Sequence, residues 1–271
     1  MSERATGGAR AGGPGRMLLC IDVGNTNITL GLYEGETLGP RWRLATAHER
    51  MPDEFILQLR GLLGYAGYGP ADVAGAVLAS VVPPLTGRWV DVCRAIGHDP
   101  LVVDASVKTG VRVLYDDPSA VGADRIVDAA AAYRFYGGPA CIVDFGTATT
   151  FDAISAGGDY LGGAIAPGIG IAAQALFERT AKLPRVELAR PPAAIGRNTT
   201  HSMQSGLLFG YVSLVEGMVA RFRAELGDDM RVIATGGLAE LIARETPVLE
   251  ILAPWLTLDG LRLVYEMNTS A

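Results

Sequence analysis

Two short segments of this sequence carry the same chemistry. Residues 21–27 read Ile-Asp-Val-Gly-Asn-Thr-Asn, and residues 143–150 read Val-Asp-Phe-Gly-Thr-Ala-Thr-Thr. Each puts an Asp at the end of an apolar run, a Gly two residues on, and hydroxyl or amide side chains beside it. Glycine lets main-chain N–H groups come close to a ligand, and successive N–H groups in a tight turn make a concavity for an anion. A carboxylate repels phosphate but can hold the cation that bridges phosphate oxygens. One Asp-x-Gly turn is ordinary hairpin chemistry. Two in equivalent contexts, about half the chain apart, point to a phosphate chain gripped from both sides.

A third candidate is Gly122-Ala123-Asp124-Arg125, directly before an Ala-rich stretch. A carboxylate there can accept a hydroxyl proton while the adjacent guanidinium forks onto a substrate carboxylate. Taken alone, the same four residues read as a helix cap and a surface ion pair. The fourth, Ala234-Thr235-Gly236-Gly237, follows an apolar run and could let a base or ribose lie against main chain, or serve only as a tight turn. Other chemistries lack a foothold. There is no G-x-x-x-x-G-K-[ST], the only lysines are Lys108 and Lys182, and no G-x-S-x-G elbow occurs. His48, His98 and His201 lack metal-ligand spacing and read as surface or packing residues. Cys20, Cys93 and Cys141 are widely spaced and read as small buried apolar groups. Trp42, Trp89 and Trp255 read as core or interface anchors.

The elements that must position these residues alternate in type. Residues 18–23 and 28–33 form a hairpin across the first turn, and 141–143 and 151–154 flank the second. Residues 52–63 read as a helix with Pro near its start, 76–82 as a buried strand closed by Pro83-Pro84, and 101–103 as a further strand. Residues 124–136 and 199–226 are helical by pattern, and 232–234 is a strand before Gly236-Gly237. Strands alternating with helices define an α/β protein. The two strand-turn-strand units suggest a duplicated fold with a cleft between the copies.

Composition narrows the class. At 271 residues and 49% hydrophobic content the chain can fill a large core. Residues 1–16 are Gly- and Arg-rich, poor in apolar side chains, and read as a flexible tail. No apolar run has the length of a signal sequence or a membrane helix, so the expectation is a cytoplasmic protein with no membrane partner. A net charge of −6 with two lysines argues against a nucleic-acid partner.

The ordered set of motifs resembles the type III pantothenate kinases. It comprises 22–29 (DVGNTNIT), 122–125 (GADR), 144–150 (DFGTATT), 162–168 (GGAIAPG), 181–184 (AKLP), Asn198-Thr199 with 203–206 (MQSG), and 234–237 (ATGG). The resemblance spans 18–268 and implies two ribonuclease-H-like lobes of the actin-like ATPase superfamily, with an inter-lobe nucleotide cleft. The lobe boundaries expected are 17–122 and 123–271. It implies phosphorylation of pantothenate by ATP to 4′-phosphopantothenate, the first step of coenzyme A synthesis, with Mg2+ accompanying ATP and K+ or NH4+ required. Residue by residue, Asp22, Val23, Gly24, Asn25, Thr26, Asn27, Ile28 and Thr29 would wrap the ATP phosphates, joined by Thr147. Asp144 would hold the monovalent cation and Asp124 would be the general base. Gly122, Ala123, Arg125, Tyr115 and Thr199 would line the pantothenate pocket, completed across a homodimer interface. The N-terminal extension lies outside every motif.

Three other classes share parts of this pattern. A sugar or acetate kinase would use the same two turns, but an Arg beside the base suits a carboxylate-bearing substrate. A nucleotide-driven filament protein needs subdomains for which the chain is short. A transcriptional accessory factor needs a basic face that is absent.

Overall fold

The computed structural model describes residues 17–104 and 106–269. The segment expected to be a flexible tail, 1–16, lies outside the described residues. The chain opens with three antiparallel strands, β1 (Met17–Val23), β2 (Asn27–Glu34) and β3 (Thr37–Ala45). Gly35, at φ +57°, turns the corner between β2 and β3, a left-handed position that glycine takes without strain. Helix α1 (Pro52–Tyr65) starts on Pro52, and the Glu54 carboxylate accepts from the Met51 N–H at 2.9 Å. Strand β4 (Val73–Ser80) pairs parallel with β1. Pro83 and Pro84 do more than close that strand: they open helix α2 (Pro83–Ala95), where missing N–H groups cost nothing in the first turn. Strand β5 (Leu101–Val102) completes the first sheet in the order β3-β2-β1-β4-β5.

Helix α3 (Ala123–Tyr136) leads into the second half: β6 (Ala140–Phe145), β7 (Ala148–Ile154), β8 (Tyr160–Pro167), α4 (Ile169–Glu178), α5 (Thr199–Leu226), β9 (Arg231–Thr235), α6 (Ala239–Ala243), β10 (Ile251–Leu252) and α7 (Leu256–Thr269). The second sheet runs β10-β9-β6-β7-β8. Setting β6 against β1, β7 against β2, β8 against β3, β9 against β4 and β10 against β5 gives the same order and the same parallel or antiparallel sense throughout. The repeat visible in two turns is thus a repeat of two whole five-stranded sheets.

Each sheet is covered on both faces. On the first, Leu19, Ile21, Leu30 and Leu32 pack against Phe55 and Leu59 of α1 and Trp89 and Val92 of α2. Its other face, through Cys20, Tyr33, Val77 and Ala79, meets Val127 of α3 and Leu258, Leu261 and Val264 of α7. On the second sheet, Cys141, Val143 and Phe151 pack against Leu208, Val215 and Val219 of α5. Its opposite face, through Ile142 and Ile154, meets Ala129 and Ala132 of α3 with Leu256 and Leu263 of α7. So α3 and α7 form a middle layer between the sheets. They approach closely at Gly260, where any side chain would strike the Val127 carbonyl. All three cysteines are buried and free, as their spacing suggests. No helix among the described residues is long and apolar enough to cross a membrane.

Candidate active site

The ends of β1 and β6 point into one cleft between the sheets. It is lined from the first half by Asp22, Gly24, Asn25, Thr26, Asn27, Thr29 and Arg43, and from the second by Asp144, Gly146, Thr147, Thr150, Thr235, Gly236 and Gly237. Asp124 and Thr257 approach from the middle layer. The two Asp-x-Gly turns touch: Thr26 Oγ1 and Thr147 Oγ1 lie 2.6 Å apart in a hydrogen bond.

Pleating decides which residues of the first turn can serve. Asp22 and Thr29 are cross-strand partners facing the cleft, while Val23 and Ile28 point the other way and are fully buried in the core. Any part Val23 and Ile28 take in binding is through main chain. The turn itself is pinned by Gly24 N–H to the Asn27 carbonyl at 3.0 Å, by Thr46 Oγ1 donating to the Gly24 carbonyl at 2.6 Å, and by Thr46 N–H donating to the Thr26 carbonyl at 2.9 Å. That leaves Asn25, Thr26 and Asn27 exposed at the rim.

Across the cleft, Asp144 ends β6 in a box of glycines. A Cβ on Gly146 would lie 3.2 Å from Asp144 Oδ2. A Cβ on Gly236, at φ +90°, would overlap Asp144 Oδ1 and sit 2.6 Å from the Phe145 nitrogen. At Gly236 only glycine leaves room for the carboxylate, while at Gly146 a side chain would press on it.

Asp124 sits in the first turn of α3, its Oδ1 accepting from the Arg125 N–H at 2.8 Å. A Cβ on Gly122, just before it, would come 2.5 Å from Asp124 Oδ1, so glycine there leaves the carboxylate where it stands. Arg125 turns to β7: its Nη2 and Nε lie 2.6 and 2.7 Å from Asp152 Oδ1. Tyr160 donates to the same oxygen at 2.8 Å and Thr150 donates to Asp152 Oδ2 at 3.0 Å. Tyr115, exposed, stacks near Tyr160 with ring centroids 6.4 Å apart. Tyr115 and Arg125 thus lie against the same ring, Arg125 with its guanidinium carbon 5.6 Å from the Tyr160 centroid, and Asp124 is the neighbour of Arg125 in the first turn of α3. Thr199 does not join it: it is exposed at the start of α5, after the Asn198 cap, and outside the cleft of its own chain.

The electrostatics are those of crowded acids. Burial, then Asp124 and Asp144, pushes the Asp22 carboxyl well above the usual carboxylate range. Asp144 is pushed up to about 7 by burial, then by Asp124 and Asp152. Burial also raises Asp124, against the lowering effect of the Arg125 N–H. Below them Asp128, one turn along α3, is buried with no hydrogen-bond partner on Oδ1, and burial with Asp144 nearby raises it too. Unpaired carboxylates at this density favour a bound cation. No three acidic, His or Cys side chains among the described residues converge closely enough to hold a metal by themselves. That donor set fits an ion that arrives with phosphate oxygens and water and takes one or two carboxylates from the protein.

Sequence reasoning did not single out Arg43, Thr46, Asp128, Asp152 or Tyr160. Trp255, read as a core or interface anchor, is half-buried and packs against the core shared with α7, and it also lines the cleft, which the sequence did not show. Trp89 is an anchor, fully buried against Phe55 at 5.0 Å between centroids.

Two copies of one five-stranded sheet order, facing a shared cleft, define the actin-like and sugar-kinase-like class of fold. A Sinorhizobium meliloti protein assigned as a 2-dehydro-3-deoxygalactonokinase superposes with a TM-score of 0.59 at 12% identity, over 94% of this chain and 100% of that one. Within the class, residues 18–221 match the type III pantothenate kinase model. A type III pantothenate kinase of Roseiflexus sp. (strain RS-1) is 54% identical over 255 residues, covering 94% of this chain and all of the relative. One from Moorella thermoacetica (strain ATCC 39073 / JCM 9320) is 55% identical over 254 residues, covering 93% and 100%. The chain belongs to the type III pantothenate kinase family.

Proposed function

We propose that this chain transfers the γ-phosphoryl group of ATP to the hydroxyl of pantothenate, giving ADP and 4′-phosphopantothenate, the first step of coenzyme A synthesis. The observation that carries the reading is the 2.6 Å bond between Thr26 and Thr147, which closes two acidic phosphate-type turns over one cleft with Asp124 at its side.

In this reading residues 17–122 and 123–271 supply the two lobes, with α7 shared between them. The rim residues Asn25, Thr26, Asn27 and Thr147 hold the phosphates, with main chain from Val23, Gly24 and Ile28, while Asp22 and Thr29 face them from the sheet. Asp124 accepts the pantothenate hydroxyl proton as that oxygen attacks the γ-phosphorus in line and the bond to the ADP oxygen breaks. Magnesium bound with ATP supplies charge neutralisation on the phosphate oxygens. Asp144 is the carboxylate we assign to K+ or NH4+, in keeping with its unshared position inside the Gly146 and Gly236 box. Gly122, Ala123, Arg125 and Tyr115 line the acceptor side; Arg125 would turn from Asp152 to meet the pantothenate carboxylate or hold the pocket through that ion pair.

We further take the protein to be a cytoplasmic homodimer. Ile171, Leu176 and Phe177 of α4, with Ile165 of β8, expose apolar surface. Thr199 lies outside its own cleft, which suits a residue delivered to the pocket of a second copy.

The test is ADP formation by purified protein with ATP and Mg2+, with pantothenate present or omitted, in K+, NH4+ and Na+ salts. Turnover should require pantothenate and be supported by K+ or NH4+ above Na+. ADP release independent of pantothenate would refute the substrate, and equal rates in the three salts would refute the cation assignment.

A further inference from the structure

We propose that Arg43 is a phosphate-binding residue of this active site, reaching from β3 across the mouth of the cleft to the β- and γ-phosphate oxygens of the nucleotide. The inference rests on reading the cleft as the ATP site.

Register places it. Asp22 pairs with Thr29 across β1 and β2, and Thr29 pairs with Arg43 across β2 and β3. Directly paired residues on neighbouring strands share a face, so all three stand in one row on the cleft side, with Arg43 about 10 Å from Asp22 at the main chain. The second sheet repeats the row as Asp144, Thr150 and Ile165. Acid and hydroxyl are duplicated and the third member is not. A cation stands on one lobe where the other presents an exposed aliphatic side chain.

Chemistry then asks for a cation here. The cleft is lined by Asp22, Asp124 and Asp144, and Arg43 is the one basic side chain among its lining residues. Neither lysine of the chain lines it, and Arg125 is engaged by Asp152. A transferring phosphoryl group carries charge on its equatorial oxygens, and a guanidinium forks onto phosphate with two parallel N–H donors.

Arg43 is also free to do it. Its side chain makes no hydrogen bond or ion pair with a described residue. Its guanidinium carbon lies 5.0 Å from the Trp255 ring centroid, and Nη1 comes within 3.7 Å of the Cβ position of Gly237 on the opposite lobe. Arg41 lies 4.8 Å from the same ring. Two cations held against one indole repel each other and are relieved by an anion between the lobes.

The experiment is calorimetric titration of wild type, Arg43→Gln and Arg43→Lys with Mg·ATP, inorganic triphosphate and adenosine, alongside steady-state rates. For Arg43→Gln we expect affinity for Mg·ATP and for triphosphate to fall together by roughly 10- to 100-fold, the worth of a charge-assisted hydrogen bond. Adenosine binding and the KM for pantothenate should stay within about threefold, kcat/KM for ATP should drop, and Arg43→Lys should recover part of the loss. Unchanged Mg·ATP and triphosphate affinities overturn the proposal, as does a wild type that does not bind triphosphate. A loss for ATP and adenosine but not triphosphate overturns it in favour of a base contact. A lowered melting temperature with parallel loss of all ligands overturns it in favour of a packing role. Each result is read from binding, so absence of pantothenate turnover in the wild type would count against the proposed reaction separately.

Discussion

Replacing Asp124 by Asn removes one negative charge and little else. The amide oxygen can still accept the Arg125 N–H that now reaches Asp124 Oδ1 at 2.8 Å, so the first turn of α3 keeps its bond. The carboxylates of Asp22 and Asp144 are each pushed upward in part by Asp124, so its neutralisation relieves both. Folding stability should therefore hold within about 1 kcal/mol, the scale of a single hydrogen bond. The chemical step should not hold. A positioned general base contributes roughly 10²- to 10⁴-fold, or about 3–5 kcal/mol of barrier. Coupled ADP release at saturating ATP and pantothenate would read that fall in kcat, and calorimetry would show ATP affinity retained. The pH profile gives a second reading. The base must be unprotonated, and burial lifts Asp124 above the usual carboxylate range, so wild-type kcat/KM should decline as pH falls toward that raised value. The variant should lose this acid limb. A kcat within about threefold of wild type, with the limb intact, would refute the assignment.

Three further outcomes follow from the geometry. Gly236→Ala forces a Cβ into Asp144 Oδ1 at a positive φ, so it should cost at least roughly 2 kcal/mol and abolish turnover; a soluble variant with normal melting temperature and activity contradicts the glycine box. The Asp144 carboxyl is held at about 7 against an unfolded value near 3.9, so the native state binds the extra proton and ligand-free stability falls as pH rises from about 4 to 7. The melting temperature without nucleotide should be lower at pH 8 than at pH 6, Asp144→Asn should narrow the gap, and a temperature that climbs over this interval would contradict the sign. If α4 forms a homodimer contact, Phe177→Glu should shift the sedimentation coefficient to that of a monomer and lower pantothenate turnover together; an unchanged coefficient places the contact elsewhere.

Local chemistry was legible where it is written in consecutive residues. The two Asp-x-Gly hairpins, the Gly122 to Arg125 corner and the strand before Gly236 all lie where the pattern puts them, because a turn flanked by apolar runs carries its own instructions. The edge strands β3 and β8 were not legible. Neither was among the strands read from the pattern: β3 contains Gly39-Pro40 and β8 contains Gly162-Gly163, residues that weaken a strand signal but that an edge strand tolerates on its unpaired side. With β3 went Arg43, whose meaning appears only once Thr29 pairs with it. Asp152 and Tyr160 escaped for a similar reason: their partner Arg125 is distant in sequence, and only the β7–β8 pairing with α3 beside it brings the three together. Asp128 reads as one polar residue in an Ala-rich helix until the packing of α3 beside β6 sets Asp144 near it.

The seating of α7 has a consequence for how the molecule is made. One face of the first sheet, through Cys20, Tyr33, Val77 and Ala79, is covered by Leu258, Leu261 and Val264. During synthesis that apolar strip emerges about 10–30 s before its cover, at ordinary rates of chain elongation. The N-terminal half thus waits, sticky and unfinished, for the last helix to leave the ribosome. A nascent chain stalled before residue 256 should depend on a holdase chaperone in a way that the released protein does not.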